Sequence, residues 1–142
     1  MHMTKHRRPI GLILLALFIL GLALWNGVRL FESIVFGSVF NVYQARLGIL
    51  YISITGGLWF LVGLATFLGL WFEKVWAWLA TFIGVIGYAS WWWFDRLIFQ
   101  YPHLNWPFAL VATFFLIMIP IILLLSPGPR RVFLKGSDER KS

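Results

Sequence analysis

Three titratable side chains stand close together in the second half of the sequence: Asp95, Arg96 and His103. A carboxylate, a guanidinium and an imidazole in one short segment could move protons or hold a polar ligand. Arg29, Glu32 and Arg46 form a second polar group upstream. Each of the six flanks a long apolar run, so they are expected to share one rim of a helical bundle, at the mouths of its helices. The chemistry such a rim could carry is that of an enzyme acting on a lipid or quinone at the membrane interface, through Asp95, Arg96 or His103. A solvated rim with structural ion pairs, Glu32 beside Arg29 and Asp95 beside Arg96, accounts for the same residues without any reaction. So does a docking surface for a partner or a small ligand.

Elsewhere the raw material for chemistry is scarce. The chain has 142 residues, 61% hydrophobic and 12% charged, where a soluble domain is roughly half apolar and about a quarter charged. It has no cysteine, which removes disulfides, thiolate catalysis and thiolate metal sites together. The segments 10–28, 47–72, 75–94 and 106–125 contain no Asp, Glu, Lys, Arg or His. Charges at membrane depth mark ion paths, proton relays and substrate counter-ions. Their absence argues against a proton-coupled pump or antiporter, and against intramembrane serine or metal proteases. His2 and His6 lie in the N-terminal segment and His103 in a loop, so no pair of span histidines is available to a membrane haem. No catalytic, cofactor-binding or metal-ligating residue is assigned, and no cofactor is expected. Trp59, near the middle of its span, reads as core packing or as a wall of a ligand or quinone pocket.

The elements that position these residues follow from the apolar runs. A helix needs about 20 apolar residues to cross the hydrocarbon core. Spans are expected at about 10–29, 47–72, 75–94 and 106–125, in a single domain of the all-α integral membrane class, a four-transmembrane-helix bundle. Glu73 and Lys74 form a tight turn. Asn105 is a candidate cap, with Pro107 in the first turn of the fourth span. Pro120 lies inside that span, and Ser126, Pro127, Gly128 and Pro129 stop it. Phe36, Phe40, Tyr43 and Leu47 recur at helical spacing, so residues 33–46 form either an amphipathic helix on the membrane surface or an extension of a neighbouring span. The basic start and apolar run also have the form of a secretory signal, with Gly21 and Ala23 at the −3 and −1 spacing of a cleavage site. The run continues past that point to Trp25, which favours a retained span.

Charge sets the expected orientation. With the N-terminus inside, the inner segments hold nine basic residues (Lys5, Arg7, Arg8, Lys74, Arg130, Arg131, Lys135, Arg140 and Lys141) and the outer ones three, Arg29, Arg46 and Arg96. Cytoplasmic loops carry the excess of Lys and Arg, so an N-in/C-in topology follows, with cytoplasmic tails 1–9 and 130–142. Tryptophans are expected at both interfaces: Trp71, Trp76 and Trp78 inside, and Trp25, Trp91, Trp92, Trp93 and Trp106 outside. The net charge of +7 resides mostly at the chain ends beside apolar spans, so lipid headgroups explain it and nucleic acid is not an expected partner. Arg130, Arg131 and Lys135, with Phe133 and Leu134 between them, are the residues expected to meet anionic headgroups. Small residues at i, i+4 suggest close helix contacts: Ala23 and Gly27, Ser53 and Gly57, Ala80 and Gly84, Ala109 and Thr113.

The stretches 57–65 (GLWFLVGLA), 69–77 (GLWFEKVWA), 93–97 (WFDRL) and 105–108 (NWPF) resemble small uncharacterised four-transmembrane-helix bacterial membrane proteins. That resemblance covers roughly the last two thirds of the chain. It implies a multi-pass protein of the bacterial cytoplasmic membrane and carries no catalytic motif. The leading expectation is a non-enzymatic accessory, assembly or partner-binding component that contacts membrane lipids and a second copy or another membrane protein. A small oligomeric transporter or channel for a neutral or apolar solute is the alternative, and the interfacial lipid or quinone enzyme the second alternative.

Overall fold

The computed structural model describes residues 8–37, 46–99 and 105–138. These form five helices: α1 (Ile10–Val35), α2 (Arg46–Trp71), α3 (Val75–Phe99), α4 (Trp106–Leu125) and α5 (Pro127–Asp138). The first four are long and apolar enough to cross a membrane. They hold 20 to 26 residues each, about 30–39 Å of helix against a hydrocarbon core of about 30 Å.

The helix starts fall within a residue of expectation, and that of α1 has a chemical cause. Pro9 holds an extended backbone ahead of α1, and its carbonyl accepts the first amides, Leu12 N at 3.0 Å and Ile13 N at 3.3 Å. Two of the ends lie further on than expected. α1 continues past Arg29 and Glu32 to Val35, and α3 past Asp95 and Arg96 to Phe99. A charge ends the apolar span but not the backbone hydrogen-bond ladder, which runs on into the polar layer until the chain turns. Of the segment 33–46, residues 33–35 therefore extend α1, Arg46 opens α2, and 38–45 lie outside the described residues.

The α2–α3 turn is made by backbone alone. Lys74 N donates to Gly69 O (2.8 Å) and Glu73 N to Leu70 O (3.1 Å), the paired bonds of a Schellman motif. Its left-handed position, usually glycine, is held by Glu73 at φ 53°. Arg8 covers this turn, its Nε 3.7 Å from Glu73 Oε1 and its guanidinium 4.6 Å from the Trp71 ring centre. Asn105 does stand at the cap of α4, but not in the expected manner. Its backbone is left-handed (φ 64°), its side chain makes no cap bond, and its carbonyl takes Ala109 N instead.

α1 packs along α2 and α4, and α3 packs along the same two, while no described Cα atoms of α1 and α3, or of α2 and α4, approach within 8 Å. The four helices therefore form a ring around an interior that side chains must fill. The α1–α2 seam is the most extensive. Gly63 lies so near Ala23 that a Cβ there would stand 2.8 Å from the Ala23 Cβ.

The basic segment after α4 is a helix, where a polar tail was expected. Ser126 leaves the helical conformation (ψ 148°), and Pro127 then opens α5; proline suits the first turn because its missing N–H has no partner to lose. α5 folds back onto α1, α3 and α4. A Cβ on Gly128 would meet Pro9 Cβ at 2.6 Å, so only glycine permits that approach. Phe133 is buried in the main apolar cluster with Leu12, Leu15, Leu70, Ala77 and Leu124. This end, with Pro9, the Glu73 turn and α5, is the basal end of the bundle; the other, with Arg29 and Asp95, is the distal end.

Candidate functional site

At the distal end the structure brings part of the expected rim together. Asp95 is buried, with only 6% of its surface exposed. It is hydrogen-bonded to the Tyr51 hydroxyl, which also accepts Trp91 Nε1 at 2.9 Å. The Arg29 guanidinium lies 5.3 Å from the centre of the Trp91 ring. Arg29 from α1, Tyr51 from α2, and Trp91 with Asp95 from α3 thus make one connected group. Tyr51, missing from the sequence reading, is its hub. Arg96 is directed to the Trp92 ring, 5.7 Å from its centre. Glu32 shares a cleft of ≈ 140 Å³ with Arg29, Ser33, Ile49 and Ile52. His103 lies outside the described residues, as does the side chain of Arg46. Among the described residues, no group of three or more His, Asp or Glu side chains stands close enough to share a metal ion.

At the basal end Arg130 and Arg131 are exposed on α5, and Lys135 lies one turn further along the same helix.

The bundle interior holds polar groups that sequence reasoning passed over. Asn26, Thr66, Thr81 and Tyr88 are all buried. Asn26 Nδ2 donates to Leu22 O (2.8 Å) and, across the ring, to the Tyr88 hydroxyl (3.2 Å). Thr66 and Thr81 turn their hydroxyls back onto Val62 O and Ala77 O. Asn26 Oδ1 is buried and has no partner among the protein's own groups. A carbonyl left this way costs about 1–3 kcal/mol. The amide cannot be reversed to relieve it, because Leu22 O accepts only and requires the nitrogen where it stands. The signal for Asn26 was present in the sequence. Leu12, Leu15, Ile19, Ala23, Asn26 and Ser33 recur at helical period along the buried stripe of α1, and Asn26 is the one amide on it.

Asn26 borders a cavity of ≈ 40 Å³ between α1, α2 and α3, walled by Ile19, Ala23, Trp59, Val85 and Tyr88. Ala80 and Gly84, expected at a helix contact, line this space instead; a Cβ on Gly84 would meet nothing within 4 Å. Trp59 packs edge-on to Tyr88, ring centres 5.0 Å apart, and borders the cavity as well. The cavity is smaller than the roughly 150 Å³ of an engineered cavity that takes up one benzene ring. Leu22 and Tyr88 also form one wall of a wider cleft of ≈ 310 Å³ towards α4, bounded by Trp25, Trp92 and Thr113.

Three more bonds between helices join neutral side chains. Ser33 and Ser53 join α1 to α2 (2.8 Å), Trp91 and Tyr51 join α3 to α2, and Trp93 Nε1 donates to Thr113 Oγ1 of α4 (2.9 Å). Such bonds in membrane proteins average about 0.6 kcal/mol, reaching about 1.7.

Four apolar helices of crossing length, an all-helical bundle and neutral interhelical bonds define the class: a multi-pass membrane protein. No family model matches the chain, and no curated protein and no solved structure is significantly similar to it. The likeness to small bacterial four-span proteins therefore extends to the four helices and stops there.

Proposed function

We propose that the protein is a non-enzymatic component of the bacterial cytoplasmic membrane: an accessory, assembly or partner-binding subunit with both ends in the cytoplasm. The observation that carries this reading is how the groups suited to acid–base chemistry are used. Asp95 is engaged by Tyr51, and Arg29 lies on Trp91, so both tie helices together where an enzyme would direct them at a substrate. Partners on this reading are a second copy or another membrane protein, with anionic headgroups at the basal surface around Arg130, Arg131 and Lys135. Purification in mild detergent with crosslinking tests it. A co-purifying protein or a defined oligomer is expected, and a strictly monodisperse lone monomer counts against it. Orientation has its own test, since the chain has no cysteine and single cysteines label cleanly. Glu32→Cys is expected to react with an impermeant maleimide in intact cells, and Ser142→Cys only after permeabilisation. The reverse pattern contradicts the orientation.

A further inference from the structure

We propose that the cleft between α1 and α4 in the distal half of the bundle is a phospholipid site, with an acyl chain in the cleft and the lipid phosphate on Arg96. At its basal end α1 lies close to the end of α4, where a Cβ on Gly11 would stand 2.8 Å from Ser126 Oγ. Towards the distal end the space beside the two helices is a cleft of ≈ 310 Å³, walled by Leu22 and Trp25 of α1 and by Ala112 and Leu116 of α4. Tyr88, itself buried, and Trp92 close it on the α3 side. Trp25 is 63% exposed, so the cleft opens on the bilayer at this rim.

Its walls suit a hydrocarbon chain. The hydroxyls that border it are already used: that of Tyr88 accepts Asn26 Nδ2, and Thr113 Oγ1 donates to Ala109 O and accepts Trp93 Nε1. What remains is mostly apolar surface on helices of crossing length. The volume is about twice the roughly 150 Å³ that takes up a benzene ring, which is room for a chain. One turn of a partner helix, with its side chains, fills roughly 500 Å³ and is too large. Left empty, the walls forfeit dispersion contacts.

Shape alone does not retain a lipid, because a chain gains little by leaving the other chains around it. Arg96 supplies the difference. It lies one turn beyond Trp92 on α3, towards the distal surface, and its half-buried guanidinium is 5.7 Å from the centre of that ring. A guanidinium carries five donors in a planar fork, so it can lie on an indole and still bond a phosphate. The neighbouring acid, Asp95, is bonded to Tyr51 of α2 and does not line the cleft. Trp92 and Arg96 thus join a chain slot to a phosphate anchor, in the order in which a phospholipid carries the two.

Photolabelling of the full chain in a non-ionic detergent tests this, with phosphatidylglycerol carrying a diazirine midway along one chain. An adduct is expected within residues 22–25 or 112–116, and excess unlabelled phosphatidylglycerol should remove it. Diacylglycerol of the same chains, and glycerol phosphate without chains, should each compete at least tenfold less well. Arg96→Gln, which loses the fork, and Ala112→Phe, which fills the cleft, should each cut the adduct at least tenfold; Leu116→Trp replaces Ala112→Phe if that variant misfolds. No saturable adduct there, adducts confined to α5, equal competition by either fragment, or an adduct undiminished in either variant overturns the proposal. A second copy crosslinked through these residues in place of lipid overturns it too. Failure by any of these routes leaves the partner-binding reading standing, since that reading requires no lipid in the cleft.

Discussion

Gly63→Ala probes a close backbone approach between α1 and α2. A Cβ at position 63 stands 2.8 Å from Ala23 Cβ and 3.2 Å from Ala23 Cα. Ordinary contact begins near 3.4 Å, so α1 and α2 must separate locally by 3.4 − 2.8 = 0.6 Å or more. Neither methyl has a rotamer through which to yield, and Ala23 is fully enclosed, so the backbone has to move. Overpacking of this kind costs about 1–3 kcal/mol, and alanine returns up to about 1 kcal/mol through its helix propensity. The expected net loss is about 1–2 kcal/mol. Ala23→Gly on its own removes a buried methyl and is also destabilising. The double variant Ala23→Gly/Gly63→Ala carries one methyl across the same seam and should recover to within about 1 kcal/mol of the parent, the non-additivity expected of residues in contact. Steric-trap or denaturant unfolding in detergent measures all four proteins. If Gly63→Ala matches the parent while Ala23 is present, or the double variant shows the sum of the two losses, the seam is not packed as described.

Three further outcomes follow from other contacts. Phe133→Ala removes the buried anchor of α5 and should cost up to about 3–5 kcal/mol; hydrogen exchange is expected to show α5 losing protection while α1–α4 keep theirs, and loss throughout the bundle would mean that α5 is integral to it. Glu73→Gly relieves a left-handed non-glycine position worth about 1–2 kcal/mol and breaks a half-exposed ion pair worth at most about 1, so thermal stability should rise, and a fall would assign the ion pair the larger share. Tyr51→Phe deprives both Trp91 Nε1 and Asp95 of a partner and should cost about 1–3 kcal/mol, read as a lower unfolding midpoint; an unchanged midpoint would show that the hydroxyl does not hold the distal group together.

The spans were legible because the bilayer imposes a coarse rule: about 20 residues without charge make a crossing helix. Starts were legible where a residue forces them, as Pro9 does before α1 and Asn105 with Pro107 before α4. Ends were not, because Arg29 and Asp95 mark where the hydrocarbon stops and not where the ladder stops. α5 was hidden by its own first residues. Pro127, Gly128 and Pro129 end one helix and permit another, and the second is held by Phe133 docking on α1 and α3, a tertiary fact. The distal group was half legible. Asp95 and Arg29 stood out as charges, whereas Tyr51 looks like any aromatic residue until α2 lies beside α3. The buried amide of Asn26 was hardest to see, since asparagine at a span end reads as an interface residue and only its helical phase with Ala23 and Ile19 places it inside.

The division between neutral interior and charged ends has a physical cause that bears on function. An unpaired charge in the ring would need a counter-ion within a low-dielectric space, and an isolated one costs far more than any hydrogen bond between these helices returns. Amides, hydroxyls and indoles can bond there without that penalty, so Asn26, Tyr88, Ser33 and Thr113 join the helices within the ring while Arg8, Glu73, Arg29 and Asp95 lie towards its two ends. Bonds between neutral groups keep their strength across the physiological pH range, because none of them titrates there. The membrane potential acts on charge, and the described interior offers it none. What can perturb this interior is a contact that shifts one helix against another, as a surface that moves α1 against α2 would. Such a contact is a binding event, in keeping with the partner-binding role proposed above.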